Sequence, residues 1–294
     1  VINFRCEGTG RPTVLLEGGY AANSLGWPRV QALVAPWFRV CAYDRAGYGF
    51  SDPGPLPRDG AAIARDLDQA LRAARIGGPF IVVGHSAGGL YVRLFADRRA
   101  RDVVGMVLVD PSVEYQDRRF AAAFGPGAGS IAPLRAGDER CLAAARAGTL
   151  PSSDPGLAAC VAPRKAGEPA AVAAERIAEA RRPSRWETRI SELDTLWTST
   201  SDEVAAGRRS YGHMPLIVLT AGGTSGAGAP PSVRSEVSRF WAGLHAEIAV
   251  RSDRGLQRTV TGSSHLMMAD RPDAIAAAID EVAAQGRSGE KGAQ

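Results

Sequence analysis

Gly84-His85-Ser86-Ala87-Gly88 carries the strongest chemical signal in the chain. It follows an apolar run ending in Phe80-Ile81-Val82-Val83 and precedes a helical pattern that begins with a second glycine, Gly89. A serine in this G-x-S-x-G spacing, between a strand and a helix, occupies a sharp and strained turn. Flanking glycines are needed because a side chain there would collide with neighbouring strands. The turn lifts the hydroxyl above the sheet and aims the Ala87 N–H and the next helix N-terminus at the same point. Ser86 is therefore the candidate nucleophile, and Ala87 a candidate donor to an oxyanion.

A serine hydroxyl needs a base. The chain has four histidines: His85, His213, His245 and His265. His85 lies inside the turn with its side chain directed away from Ser86. His213 precedes a strand and His245 lies in a helical pattern, so these three read as structural or surface residues. His265 stands in Thr259-Val260-Thr261-Gly262-Ser263-Ser264-His265, just after the last strand-like run and before the last helix. That position is at the C-terminal edge of a parallel sheet, on the side of Ser86. It is the candidate base.

These side chains need a scaffold that alternates strands and helices. Apolar runs at 13–17, 38–43, 80–84, 103–109, 215–220 and 258–261 are continuous rather than alternating, as strands covered on both faces are. Helical patterns at 61–76, 88–99, 233–249 and 271–285 separate them, the first predicted to stop at Gly77-Gly78 and the last opening with Pro272. The class is α/β with a mostly parallel central sheet flanked by helices. Between 112 and 210 no strand is predicted, only Ala/Arg-rich helices at 170–181 and 184–199. This segment reads as a helical cap on a core of 1–111 and 211–286, and the polar, Gly-rich 287–294 as a disordered tail.

Composition bounds the partners. The chain has 294 residues, 45% of them apolar, enough for a large buried core. The excess positive charge is only +4 and Arg is scattered among Asp and Glu, which argues for a solvated surface and no nucleic-acid partner. No apolar run has the length of a membrane span. No signal peptide is visible, and Val1 in place of Met leaves room for a removed leader. Cys6, Cys41, Cys141 and Cys160 match no zinc spacing. They fit two disulfides, Cys6–Cys41 and Cys141–Cys160, each within one region, or four buried thiols. The disulfide reading favours a secreted or periplasmic protein over a cytoplasmic one.

Taken together the motifs resemble the α/β-hydrolase fold family over nearly the whole chain. "VLLEGGYAANSLGW" is similar to the family's oxyanion loop after its third strand. "YDRAGYGFSDP" is similar to its turn after the fourth, a motif with structural roles, so Asp44 and Arg45 receive no chemistry. "VVGHSAGG" looks like its nucleophile turn, and "GSSH" with "DRPDAI" like its final His loop and helix. The first loop departs from the family's His-Gly: Glu17-Gly18-Gly19-Tyr20 stands there, and the resemblance implies the Tyr20 N–H, with Gly19 as alternative, as partner of Ala87. The family usually carries an acid after its seventh strand, yet Leu216 through Ser235 contains no carboxylate. A minority carries it after the sixth, where this chain has Asp110 before Pro111. Asp110 is the expected acid; Glu114 is the alternative, with Asp117, Asp253 and a triad with no acid behind it. The cap falls between the sixth and seventh strands.

The resemblance implies an esterase- or lipase-like serine hydrolase for a small-molecule ester, with Ser86, His265 and Asp110 and no metal or organic cofactor. An amidase, peptidase, lactonase or cofactor-free perhydrolase has the same constellation, and a ligand receptor on the same scaffold would lack it. Trp186 and Trp197 are expected either to line an acyl pocket or to be buried in the cap. The vacant loop after the seventh strand, rich in Gly, Ala and Pro, reads as a flexible rim.

Overall fold

The protein, in a computed structural model, is described over residues 1–161, 169–223 and 230–291. Residues 224–229, where the flexible rim is expected, lie outside the described residues. Among the described residues, seven strands form one sheet: β1 (Phe4–Glu7), β2 (Thr13–Glu17), β3 (Val40–Tyr43), β4 (Phe80–His85), β5 (Val103–Val109), β6 (Leu216–Ala221) and β7 (Gly255–Val260). Their spatial order is β1-β3-β2-β4-β5-β6-β7, with β1 antiparallel to β3 and every other pair parallel. β2, β3, β4 and β6 are buried at every residue, which is why their sequences read as unbroken apolar runs.

Helices cover both faces. On one lie α1 (Pro28–Val34) and α11 (Pro272–Lys291), bringing Val30, Val34, Ile275, Ile279 and Val282 onto the sheet. On the other lie α2 (Gly60–Ala73), α3 (Gly88–Arg98) and α9 (Pro231–Ala249), packed through Leu67, Leu71, Phe95, Leu244 and Ile248. A single turn, α10 (Met267–Asp270), precedes α11. Each family strand from the third onward is one number lower here.

Some boundaries differ from the sequence expectation. The strand expected over 38–43 begins at Val40, because Phe38 N–H still bonds back to Val34 O at the end of α1. The strand expected over 258–261 starts earlier, at Gly255. β1 is a four-residue edge strand whose charged residues hide its pattern. α2 stops before Gly77-Gly78: Arg75 takes the left-handed conformation (φ 53°) normally given to glycine, and Ile76 N–H closes onto Leu71 O at 2.9 Å. α11 runs to Lys291, five residues into the segment expected to be a tail; residues 292–294 lie outside the described residues.

Among the described residues, five α-helices stand between β5 and β6: α4 (Gln116–Phe124), α5 (Ala132–Arg146), α6 (Ala170–Ala180), α7 (Pro183–Leu196) and α8 (Ser199–Ala206). The helix expected over 184–199 ends at Leu196, and α8 starts anew after an irregular Thr198. The insertion has a small core of its own around Trp186, Leu150, Ala144 and the Cys141–Cys160 disulfide. It also seats on the sheet edge, where Leu196, Trp197 and Val204 pack against Ala87, Leu90 and Tyr91. The second disulfide joins Cys6 to Cys41, directly paired residues of β1 and β3, and no cysteine is free. No described helix is long and apolar enough to cross a membrane.

Candidate active site

The C-terminal ends of the parallel strands converge on one edge. Glu17 ends β2 and Gly18 to Tyr20 follow it, Asp44 and Arg45 follow β3, Ser86 follows β4, Asp110 follows β5 and His265 follows β7. Strand order reverses between β2 and β4, the place where open α/β sheets leave a crevice for ligands.

Ser86 has φ 52°, a strained value for a residue with a side chain. Its turn is fixed by its own N–H to Val109 O (3.1 Å) and by its carbonyl, which accepts from Gly89 N–H and Ser112 N–H (2.9 Å each). Gly84 is required for close approach: a Cβ there would lie 2.6 Å from the Gly88 carbonyl oxygen. α3 starts immediately after the turn, which sets its N-terminus beside Ser86.

Because His85 and Val109 are paired in register, the next residues, Ser86 and Asp110, leave adjacent strands side by side. Asp110 is fully buried and also strained, at φ 43°, although a residue before proline normally avoids helical values. Among the described residues, three donors hold it there. His265 Nδ1–H donates to Oδ2 at 2.6 Å, while Ala221 N–H (3.0 Å) and Trp241 Nε1–H (2.9 Å) donate to Oδ1. Burial alone would raise its carboxyl pKa; the bonds from His265 and Ala221 outweigh it and hold the pKa below the ordinary value. With Nδ1 carrying the proton, His265 keeps a lone pair on Nε2, and its side chain remains 40% exposed.

Two further histidines support this pair. His85 Nε2–H donates to the His265 carbonyl at 2.8 Å, and the two rings lie 4.6 Å apart. His245 is wholly buried: it donates through Nε2–H to Pro111 O (2.9 Å), accepts at Nδ1 from Thr220 Oγ1–H (2.7 Å), and packs tilted against the Trp241 ring at 4.5 Å. Burial lowers both pKa values to about 4, and for His85 the nearby His265 charge adds to it. Both are neutral in the folded protein, whereas an unfolded histidine charges near its ordinary pKa of 6.5. Each therefore contributes stability that is complete above pH 6.5 and lost as pH falls towards 4. The stability gap between wild type and His245→Gln should widen by about 3 kcal/mol from pH 4 to 6.5 and stay constant above. Urea unfolding of both proteins across that range measures it; a constant gap would mean that His245 is not neutralised by burial. His213 is exposed and pairs with Asp253, and neither residue bonds to the groups above.

The loop after β2 faces Ser86. A Cβ on Gly19 would come within 2.8 Å of Ser86 Cβ, so only glycine fits. Its carbonyls are engaged: Arg45 Nη1–H donates to Gly18 O (2.8 Å) and Nη2–H to Gly19 O (2.9 Å). The N–H groups of Gly19, Tyr20 and Ala87 have no acceptor among the described residues. Arg45 also pairs with Glu17 (2.7 Å) and Glu192 (2.9 Å), and all three are buried. Burial pushes the Glu17 pKa up to about 7 even against the Arg45 charge. Sequence reasoning missed the roles of Arg45, Trp241 and His245, because their partners lie 25 to 147 residues away and the turn motif that carries Arg45 does not name them.

The other candidates are placed elsewhere. Glu114 binds Arg93 with both oxygens (2.9 and 2.7 Å) and Arg251 (2.8 Å), which, against burial, hold its pKa down to about 2. Trp186 is buried in the small core of the insertion and donates to Ala180 O at 2.7 Å. Trp197 lines a cavity of about 440 Å³ with Ile131, Leu193 and Asp117. Trp197 and Ile131 belong to the same apolar cluster as Ala87 and Tyr20, although neither Ser86 nor His265 lines the cavity. Among the described residues, no group of His, Cys, Asp or Glu is arranged to hold a metal ion.

The chain belongs to the alpha/beta hydrolase family, whose sequence profile it matches over residues 14–278. Among relatives, it is 33% identical to the uncharacterised protein YqjL of Bacillus subtilis over 107 residues, 36% of this chain and 42% of YqjL. Matches to curated relatives cover only 15% to 42% of their length. Among solved structures, it is similar to a Pseudomonas aeruginosa protein designated an epoxide hydrolase, with TM-score 0.65, 22% identity, and coverage of 98% of this chain and 93% of that one. It is also similar to an N-formylmaleamic acid deformylase of Pseudomonas putida, with TM-score 0.61, 20% identity, and coverage of 95% and 94%. These likenesses establish the fold.

Proposed function

We propose that the protein is a serine hydrolase that cleaves carboxylic esters of small molecules through an acyl-enzyme. The observation that carries this reading is the 2.6 Å bond from His265 Nδ1–H to the buried Asp110, at the strand edge from which Ser86 projects. In this reading His265 Nε2 takes the Ser86 proton as Oγ attacks the ester carbonyl, and Asp110 stabilises the imidazolium. The tetrahedral oxyanion is bound by the N–H groups of Ala87 and Tyr20, with Gly19 as alternative to Tyr20; all three are without acceptors among the described residues. His265 then protonates the leaving alcohol, and water repeats the cycle on the acyl-enzyme. Serine at position 86 argues against epoxide hydrolase chemistry, which resembles this scaffold but uses an aspartate nucleophile.

We read residues 112–210 as a cap over a core of 1–111 and 211–286, with the Trp197 cavity as the substrate pocket. Two disulfides and no free cysteine support an oxidising compartment, secreted or periplasmic. The test uses p-nitrophenyl acetate and butyrate, the matching butyryl anilide, and a fluorophosphonate probe. Ester hydrolysis with the probe mapped to Ser86, and slower anilide cleavage, is expected. Anilide cleavage at the ester rate would favour an amidase. Absence of both hydrolysis and labelling would leave a ligand receptor.

A further inference from the structure

The oxyanion loop is held by the inserted helices as well as by the core. In a trans peptide the C=O and N–H point in opposite directions, so fixing the carbonyls of Gly18 and Gly19 also fixes the N–H groups of Gly19 and Tyr20. Arg45 does this fixing with both Nη atoms. Its remaining bonds to the insertion go to α7: Nε and Nη2 meet the two oxygens of Glu192 at 2.9 and 3.1 Å. Tyr48 O–H donates to the same carboxylate at 2.9 Å. Burial disfavours the Arg45 charge, but Glu192 and Glu17 hold its pKa well above the ordinary value, so it stays a cation.

A second tether grips the next residue. Tyr20 O–H bonds Asp138 of α5, and Arg189 of α7 donates to the Tyr20 oxygen at 3.2 Å while pairing with Asp138 at 2.7 Å. The Arg189 guanidinium also lies 4.9 Å over the Tyr20 ring. An apolar contact would seat the insertion without orienting any peptide plane. A planar fork between a carboxylate and two carbonyls orients them.

We propose that Glu192 and Asp138 are positioning residues for the oxyanion hole: α5 and α7, seated on the core, set the direction of the Gly19 and Tyr20 N–H groups. The proposal rests on the acyl-enzyme reading. It follows that the inserted helices act on the chemical step and not only on substrate choice.

Glu192→Gln keeps the size of the side chain and removes its charge and its paired oxygens. For this variant kcat on p-nitrophenyl butyrate is expected to fall about 10- to 100-fold, below the loss of a whole oxyanion donor, with KM nearly unchanged. Affinity for a trifluoromethyl ketone, which forms a tetrahedral adduct on the serine, should fall by the same factor. Tyr20→Phe removes one hydroxyl and should show the same pattern at about 3- to 10-fold; it decides the matter alone if Glu192→Gln does not fold. Glu192→Asp, which keeps the carboxylate on a shorter stem, should retain more of kcat than Glu192→Gln. Unchanged kcat and ketone affinity, or a raised KM at constant kcat, would overturn the proposal. If the wild type itself is not labelled at Ser86, the acyl-enzyme reading has failed instead.

Discussion

Ser86→Ala is expected to lower kcat for p-nitrophenyl butyrate by about 10⁶-fold, the scale of loss when the nucleophile of a serine triad is removed. Alanine deletes only Oγ, and the features that build the turn are untouched. The backbone bonds to Val109, Gly89 and Ser112 use main-chain atoms, and Gly84 still permits the close approach to Gly88. The variant should therefore fold like the wild type and lose fluorophosphonate labelling entirely. What remains is the background from the free N–H groups and the helix N-terminus, which bind an oxyanion whatever the nucleophile. Single-turnover kinetics with active-site titration separates this background from contaminating enzyme. Ser112 is the control residue: it is buried beside Ser86 and donates its N–H to the Ser86 carbonyl. Retention of more than about one hundredth of kcat in Ser86→Ala would move the nucleophile off the turn, and Ser112→Ala would then be the next variant.

How much of this arrangement the sequence carries depends on whether a residue's partners are local. Ser86 and His265 lie in short motifs whose neighbours in sequence are also their structural context: a buried strand before one, a helix after the other. The parallel sheet is equally readable, because strands buried on both faces leave unbroken apolar runs. Asp110 is singled out only by the emptiness of the loop after β6, an inference from absence rather than from its own surroundings. Its supports, Ala221 and Trp241, are 111 and 131 residues away. The same distance hides Arg45, which in sequence belongs to a turn motif and in space joins β2, β3 and α7. α4, α5 and α8 are missed for another reason. They bury few large apolar side chains: α4 has no fully buried residue, α5 buries Asp138, Cys141, Ala144 and Ala145, and α8 buries Thr200, Ser201 and Val204, so no apolar run marks them.

Asp110→Asn is expected to lower kcat by about 10⁴-fold with little change in fold. The amide is the same size, and its oxygen can keep the bonds from Ala221 N–H and Trp241 Nε1–H, both of which require an acceptor. That orientation turns the NH₂ towards His265. The imidazole must then accept at Nδ1 and carry its proton on Nε2, the atom that has to receive the Ser86 proton. The base is present, in the wrong tautomer. Glu114→Gln should behave in the opposite way. Glu114 neutralises the buried Arg93 and also pairs with Arg251, so its loss leaves a cation without its partner and destabilises the fold by about 3–5 kcal/mol. kcat of the folded fraction should stay within about threefold of wild type, since no bond joins Glu114 to His265. Unfolding midpoints and kcat measured on both variants distinguish the two carboxylates. A thermally normal, inactive Glu114→Gln beside an active Asp110→Asn would assign the acid to Glu114 and reduce Asp110 to a strand-end support. The strain at Asp110 argues for the first outcome: a buried carboxylate at φ 43°, held by three donors, is an expensive way to end a strand that a turn residue could end alone.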